Sequence, residues 1–161
     1  MDTPRRFFIH TFGCQMNEAD SSRMGEILER AGWTRADAAE QAELVLLNTC
    51  AVREKAEQKV LSALGRYQGL KAERRTVIGV TGCLAQQKKE QLLKKVPYVD
   101  LVVGPDGIAK LAELVRRVME ERVRLAETAF LDSEHYVFPR ADPESAWQTR
   151  MALSRRSPRV P

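Results

Sequence analysis

The sequence has little that would commit the chain to a membrane or to secretion. Its longest unbroken apolar runs, such as Leu44 to Leu47, are far shorter than the roughly 20 residues of a membrane-spanning helix. The segment from Phe7 to Ile9, which follows Arg5 and Arg6, is too short for the core of a signal peptide, and no small-residue cleavage site comes after it. We therefore expect a cytoplasmic protein with no membrane partner.

Several common site motifs are also missing. Neither G-x-G-x-x-G nor G-x-x-x-x-G-K-S/T occurs, so no glycine-rich phosphate loop is expected. The sequence contains no C-x-x-C, the spacing typical of dithiol redox centres. No cysteine is followed by an arginine six residues later, which excludes the loop of a cysteine phosphatase.

Excess charge of one sign is scarce over most of the chain. The 26 basic and 22 acidic residues give a formal net charge of +4 at pH 7. Arg150, Arg155, Arg156 and Arg159 are the only charged residues after position 149, so they account for the whole excess. The neutral remainder argues against a nucleic-acid clamp built on the folded domain, and the basic tail is typical of a solvated linker.

The composition is that of an ordinary globular domain. Hydrophobic residues make up 43% of the 161 residues, and charged residues make up 30%. This apolar fraction is enough for a real core, and it excludes wholesale disorder and collagen-like structure. The length corresponds to one domain, since domains cluster near roughly 100 to 150 residues.

Four segments combine a strand pattern with a helical one. Each apolar run suited to a strand ends at a break, and apolar residues at helical spacing follow it. The strands are predicted at residues 6–11, 42–48, 76–81 and 99–103. Asn17 is a candidate N-cap of the first helix, while Gly32 and Gly69 are expected to end the first and second helices. One basic amphipathic helix, with Leu84, Leu92, Leu93 and Val96 facing inward, is predicted after the third strand.

Serial β-α units predict an α/β fold, because parallel strands need crossover connections. We expect an open parallel sheet of four or five strands with helices on both faces, similar to that of flavodoxin. Residues 1–122 are predicted to form this domain. Residues 123–161, where the pattern weakens and prolines recur, are predicted to be a linker, although 123–131 could extend the last helix or add a strand.

The only cysteines, Cys14, Cys50 and Cys83, occupy equivalent positions in these units. Their odd number in a cytoplasmic chain argues against a disulfide framework. Each directly follows a predicted strand and precedes a helix, and the residues before them are small: Gly13, Thr49 and Gly82. The carboxyl ends of parallel strands share one edge, where ligands bind at the point of strand-order reversal. Since adjacent strands are about 4.8 Å apart, we predict that the three thiols share one site.

Thiolates at this position are suited to a soft metal centre. The start of a helix favours the thiolate, and soft thiolates select zinc or iron-sulfur clusters. Three ligands leave one iron of a four-iron cluster open, whereas structural zinc prefers four protein ligands. His10 and His135 could complete a zinc site, but His10 is expected to be a hydrogen-bonded histidine of the first strand and His135 lies in the predicted linker. The sequence therefore favours a cluster over zinc.

The residues around the cysteines resemble a known family. The stretches TFGCQMNEADSSRM (11–24), NTCAVREKAEQKV (48–60) and TGCLAQ (81–86) are similar to the N-terminal domain of the methylthiotransferases. These radical S-adenosylmethionine enzymes insert sulfur and a methyl group into tRNA or a ribosomal protein. The resemblance spans residues 6–122 and is strongest to the branch that acts on N6-isopentenyladenosine at position 37 of tRNA. The branches that act on threonylcarbamoyladenosine in tRNA or on a ribosomal protein stay open.

The resemblance implies a role for the three cysteines. Cys14, Cys50 and Cys83 would bind an auxiliary 4Fe-4S cluster whose open iron carries the sulfur or methylthio group. A second 4Fe-4S cluster, bound by a C-x-x-x-C-x-x-C motif that this sequence lacks, would cleave S-adenosylmethionine in a radical domain of the same protein. tRNA would be the partner of the whole enzyme, and this chain alone would hold a cluster without catalysing turnover or supplying catalytic residues.

Several residues beside the cysteines are candidates for supporting roles. These are Gly13, Asn17, Asn48, Thr49, Arg53 and Gly82. Capping and helix-start roles account for the polar ones, and Arg53 could instead contact a cluster sulfur or a substrate phosphate. The basic run Lys88, Lys89, Lys94 and Lys95 could touch tRNA, although a solvated helix face is the simpler interpretation.

Two hypotheses without an iron-sulfur cluster also stay open. One is a cobalamin or flavin module on the same fold, although the D-x-H-x-x-G motif expected for cobalamin is absent. The other is a thiol-based regulator that binds no metal.

Overall fold

The described residues form six strands and five α-helices. The computed structural model describes residues 5–13, 15–50 and 54–129, all within the first of two units, Met1–Phe130. The strands β1 to β6 are Arg6–Thr11, Thr34–Arg35, Leu44–Thr49, Val77–Gly82, Leu101–Val103 and Leu125–Glu127. The helices α1 to α5 are Gln15–Arg30, Glu54–Arg74, Cys83–Lys88, Glu90–Lys95 and Leu111–Glu121. No helix in these ranges is both long enough and apolar enough to cross a bilayer.

The strands form one parallel sheet in the order β2-β1-β3-β4-β5-β6. The predicted α/β open sheet is confirmed, and its first five strands have the order found in flavodoxin. The sheet has six strands instead of four or five. Strand β2 is only two residues long and contains no apolar run that the sequence pattern could detect, whereas β6 lies in the segment 123–131, which was expected either to extend the last helix or to add a strand.

The sheet is covered on both faces. Helices α1 and α5 pack on one face, and α2, α3 and α4 pack on the other. The central strands β3 and β4 are buried at every residue, which explains why both are apolar over most of their length. Leu46 and Leu47 are fully buried on opposite faces and anchor the two halves of the core.

Two helix ends show how local and tertiary signals compete. Helix α1 ends at the predicted glycine: Gly32 has φ +89°, and the Trp33 N–H donates to the Leu28 carbonyl at 3.0 Å. The prediction that α2 ends near Gly69 is wrong, because α2 continues to Arg74. An interior glycine costs only about 1 kcal/mol, and the turn beyond it is held by packing of Leu70 against the core.

The helix predicted after the third strand is divided. Lys89, at φ +48°, separates α3 from α4. Leu84 and Leu92 are both buried as predicted, and they pack in the same part of the core although they lie in two different short helices.

The sheet continues beyond residue 122. Strand β6 lies within the segment 123–161, and the Gly104 N–H donates to the Glu127 carbonyl at 2.8 Å. Just before β6, the Arg124 guanidinium donates to the carbonyls of Val99 at 2.7 Å and Val96 at 2.9 Å. Residues 125–127 therefore belong to the sheet, and the assignment of the remaining segment as a linker stays a prediction.

A carboxylate ties α2 to the sheet. Lys71 donates to Asp100 and, at 3.2 Å, to the Tyr98 carbonyl, while the Ile78 N–H donates to the other oxygen of Asp100 at 3.1 Å. The Asp100 side chain is only 14% exposed. A charge that is this well covered depends on these donors, so the Asp100 side chain links three elements.

We expect Asp100→Ala to lower the free energy of unfolding by about 2 kcal/mol, because it leaves the Ile78 N–H and the Lys71 ammonium without their charged acceptor. Denaturant unfolding monitored by circular dichroism measures this. Asp37→Ala, the same charge change at an exposed position, should alter the value by less than about 0.5 kcal/mol. Equal effects of the two substitutions would contradict the assigned role of Asp100.

Candidate metal centre

Two cysteines lie at the same edge of the sheet. Thr49 and Gly82, the last residues of β3 and β4, are partners in the strand register, and Cys50 and Cys83 follow them directly. Cys50 is half-buried, Cys83 is exposed as the first residue of α3, and both are free thiols. The strand register thus brings together two residues that are far apart in the sequence.

The residue before the third cysteine lies against Cys50. Gly13 has φ +129°, and a Cβ at this position would be 2.8 Å from the Cβ of Cys50 and 2.8 Å from the amide oxygen of Asn17. Real Cβ atoms do not approach so closely, so only glycine fits. This contact brings the turn after β1 against the end of β3.

Gly82 is confined in the same way. Its φ is +90°, and a Cβ would lie 2.3 Å from the Thr49 carbonyl oxygen and 2.7 Å from the amide oxygen of Asn48. Glycine alone combines this backbone conformation with such close approach to a neighbouring strand. The chain therefore turns directly from β4 into Cys83 without separating from the end of β3.

The strand order reverses at this edge. The chain moves from β1 outward to β2 and then returns to the other side of β1 with β3, so the reversal lies between β1 and β3. Ligands of doubly wound sheets bind beyond the carboxyl ends of strands at such a point. Cys50 follows one of the two strands and position 14 follows the other.

A buried amide network fixes the helix after β1 to the end of β3. The Asn48 amide donates to the Asn17 carbonyl at 2.7 Å and to the Ser21 hydroxyl at 2.9 Å, and the Asn17 amide donates to the Asn48 side-chain oxygen at 3.2 Å. The hydroxyls of Ser21 and Thr11 are 2.7 Å apart. Because Asn48, Asn17 and Ser21 are buried, these partners replace water and hold α1 in one position.

The structure corrects and extends the roles of the supporting residues. Asn17 is the third residue of α1 and not its N-cap, since the helix already begins at Gln15. Thr49 occupies the slot that glycine fills in the other two turns, and its hydroxyl donates to the Thr81 carbonyl at 2.8 Å. The sequence pattern did not predict the roles of Thr11 and Ser21 in the amide network. A hydroxyl residue at a core-facing position among apolar residues would have indicated a buried hydrogen bond.

Other predicted site residues lie outside the described ranges. These are Cys14, Arg53 and His135. Among the residues that the structure describes, no three His, Cys, Asp or Glu side chains form a group that could hold a metal ion. His10 is hydrogen-bonded as predicted, with its Nδ1 2.7 Å from the Tyr67 hydroxyl.

An ion-pair cluster connects the helices that follow Cys50 and Cys83. Glu57 in α2 accepts from Lys88 in α3 at 3.1 Å and lies 3.6 Å from Lys95 in α4. Hydrogen bonding by Lys88, assisted by the charges of both lysines, lowers the pKa of Glu57. The ion pairs of Glu57 thus stabilise the fold at pH values above the ordinary carboxyl pKa. This stabilisation is lost as the pH falls through the lowered pKa of Glu57. Two of the four lysines of the basic run thus share one carboxylate within the fold.

The donor set at this edge fits a soft metal centre. Two free thiols follow paired strand ends, and the glycine before position 14 contacts Cys50. At Gly13 and Gly82 the backbone is packed so closely that no side chain fits, which keeps the turns against the strand ends. Thiolates presented in this way suit zinc or an iron-sulfur cluster and not a hard cation such as Mg²⁺.

Comparison with known proteins identifies relatives of this domain. Residues 6–104 match the model of a family described as Uncharacterized protein family UPF0004. A protein of Anaeromyxobacter sp. (strain K), named tRNA-2-methylthio-N(6)-dimethylallyladenosine synthase, is 62% identical over 143 residues. Proteins with the same name in Myxococcus xanthus and Geobacter metallireducens are 58% and 44% identical over 142 and 144 residues.

The similarity covers most of this chain and a smaller part of each relative. It includes 89% of the chain and 30% of the Anaeromyxobacter protein, 88% and 31% for the Myxococcus protein, and 88% and 32% for the Geobacter protein. The chain therefore spans about 30% of the length of the curated relatives that it matches.

Gly82→Ala tests whether the close approach of Gly82 to the end of β3 excludes a side chain at this position. We expect a loss of roughly 3 kcal/mol in unfolding free energy, since the substitution adds a backbone clash to the strain of a positive φ. Gly32→Ala is the matched control, because φ there is +89° but nothing lies within 4 Å of the added Cβ. Its cost should be about 1 kcal/mol, which is the backbone strain alone. Similar losses in the two variants would refute the crowding at Gly82.

Asn48→Ala tests the amide network. The substitution removes the two buried hydrogen bonds that the Asn48 amide donates to the Asn17 carbonyl and the Ser21 hydroxyl, which should destabilise the fold by about 2 kcal/mol. Gln68→Ala removes an amide from an exposed helix position and should be nearly neutral. Thermal unfolding compares the two variants, and a midpoint for Asn48→Ala within error of Gln68→Ala would show that the network is not structural.

Proposed function

The chain belongs to the family described as Uncharacterized protein family UPF0004, and on this basis we propose that it is the cluster-binding N-terminal domain of a tRNA methylthiotransferase. The named relatives support this assignment, since they are tRNA-2-methylthio-N(6)-dimethylallyladenosine synthases. Dimethylallyladenosine is another name for the isopentenyladenosine that the cysteine motifs indicated. Modification of this base in tRNA is therefore the activity that we propose for the longer protein.

The observation that carries the proposal is the convergence of strand ends at one edge. Thr49 and Gly82 are paired, Cys50 and Cys83 follow them, and Gly13 contacts Cys50. Small buried cysteines would need no such placement, yet Cys50 follows a strand at the reversal of strand order and Cys83 follows the adjacent strand with its side chain exposed. The edge also has no room for side chains at the two glycines that precede cysteines.

In this proposal, the residues of the chain hold and orient the cluster. Cys50 and Cys83 supply two thiolates from neighbouring strand ends, and Cys14 supplies the third from the turn after Gly13. The Asn48 amide fixes the start of α1, so that this turn is held against β3. When bound, a 4Fe-4S cluster with three cysteine ligands supplies an open iron for a sulfur or methylthio group.

The remaining functions belong to the longer protein. Because the matching relatives are about three times longer than the aligned region, a second cluster, S-adenosylmethionine and the radical chemistry are proposed for residues beyond this domain. In this division of labour, the present chain stores the sulfur group and the rest of the enzyme activates the adenine. The isolated chain is therefore expected to bind a cluster and to be inactive.

Single replacement of Cys14, Cys50 or Cys83 by alanine should weaken cluster binding. After anaerobic reconstitution, we expect the wild-type chain to hold about four irons and four sulfides and to absorb broadly near ~400 nm. Each variant should lose most of this absorbance, because two thiolates cannot retain the cluster firmly.

Gly32→Ala provides the control for general loss of stability, since it strains the backbone far from the cysteines in sequence. It should keep its iron. A full cluster in all three cysteine variants would contradict the proposal. Zinc without sulfide would indicate a different metal centre, and a wild-type chain that takes up neither metal would favour the thiol-regulator hypothesis.

A further inference from the structure

An open cleft lies between the end of β1 and helix α2. It has a volume of about 460 Å³ and is lined by His10, Phe12, Gln58, Lys59, Ser62 and Arg66. This volume is within the range of roughly 300 to 1,000 Å³ that is typical of small-ligand sites. No role in cluster binding has been assigned to any of these six residues.

One wall of the cleft is aromatic. The rings of His10 and Phe12 are stacked, with centroids 4.0 Å apart and an interplanar angle of 27°. Both side chains are half-buried. Both rings line the cleft and keep part of their surface exposed, so they are accessible to a ligand there.

The histidine ring is held in place and uncharged. Its Nδ1 lies 2.7 Å from the Tyr67 hydroxyl, which fixes the orientation of the ring. Burial, with a smaller contribution from the positive charge of Arg66, lowers the pKa of His10. At neutral pH the ring is therefore a flat, neutral surface of the kind that nucleobases stack on.

The other wall is basic. Lys59 and Arg66 are exposed on α2, and none of the six lining side chains is acidic. Gln58 and Ser62 add an amide and a hydroxyl between them. By contrast, Lys88 in α3 and Lys95 in α4 both pair with the carboxylate of Glu57.

We propose that this cleft binds a nucleotide of single-stranded RNA, with the base against the His10 and Phe12 rings and a phosphate near Lys59 and Arg66. A neutral aromatic plane beside two exposed cations matches a base and a phosphodiester, and no glycine-rich phosphate loop is required. The inference extends the proposed function, since Phe12 is two residues from Cys14 and Gln58 is in the second turn of the helix after Cys50. The cleft would thus position RNA beside the cluster.

Binding of a fluorescein-labelled single-stranded RNA hexamer to the 161-residue chain, measured by anisotropy at low salt, tests this inference. Phe12→Ala should raise the Kd by about tenfold, since one stacked base contributes about 1 to 3 kcal/mol. Lys59→Glu should weaken binding by a similar factor through loss and reversal of a phosphate contact. Thermal unfolding of each variant verifies that it is folded.

Lys110→Glu is the matched control. It makes the same charge change at an exposed lysine in the segment before α5, which packs on the opposite face of the sheet. Its Kd should stay within about twofold of wild type. If Lys110→Glu weakens binding as much as Lys59→Glu does, or if folded Phe12→Ala and Lys59→Glu both bind like wild type, the cleft is not the RNA site and the inference is overturned.

Competition with adenosine monophosphate distinguishes the source of the nucleotide. Weak competition in the millimolar range supports an RNA strand, whereas tight binding of the mononucleotide, lost in Phe12→Ala, overturns the assignment to RNA. Iron content of the same samples is a separate readout. If the chain fails to assemble a cluster, the proposed function is contradicted, whatever the RNA affinity. If the cluster is normal but RNA affinity does not depend on the cleft residues, only this inference is overturned.

Discussion

Close backbone approach at the carboxyl edge of the sheet is the constraint on which the site depends. Gly13 and Gly82 both have positive φ, and a Cβ at either position would meet the neighbouring strand end at 2.8 Å or less. The turns can therefore leave their strands without separating them. Cys50 and Cys83 directly follow the paired strand ends Thr49 and Gly82, so the sheet itself, and not a flexible loop, sets the spacing of these two thiols. A site on rigid elements holds its geometry better than one on loops.

The buried amide network positions helix α1 relative to the sheet. Strand pairing fixes β3 against β4, but the hydrogen bonds between strands do not determine how α1 lies across the end of β1. Asn48 makes this connection by donating to both Asn17 and Ser21. Burial of a polar group with satisfied partners favours one arrangement over similar ones. The apolar core supplies the stability of the fold, and the polar edge supplies the orientation of the candidate site.

Much of the fold could be predicted from the sequence because its signals are local. Buried central strands are continuous apolar runs, and their ends coincide with the cysteines. Short elements such as β2 have no such pattern, since two residues cannot show a period. The long-range contacts were also inaccessible, because the Asn48 network joins residues that are 27 to 31 positions apart in the sequence. Sequence pattern thus predicted that Cys50 and Cys83 follow neighbouring strand ends, whereas the hydrogen-bond partners around them required the fold.

The position of bound iron is the most direct test of the proposed site. Crystals of the anaerobically reconstituted chain, measured at the iron absorption edge, would locate the metal by its anomalous scattering. We predict one compact iron peak beyond the ends of β1, β3 and β4, bonded to the sulfurs of Cys14, Cys50 and Cys83. Iron bound at another surface, or iron bonded to fewer than three of these sulfurs with a different protein ligand in place of the missing one, would contradict it.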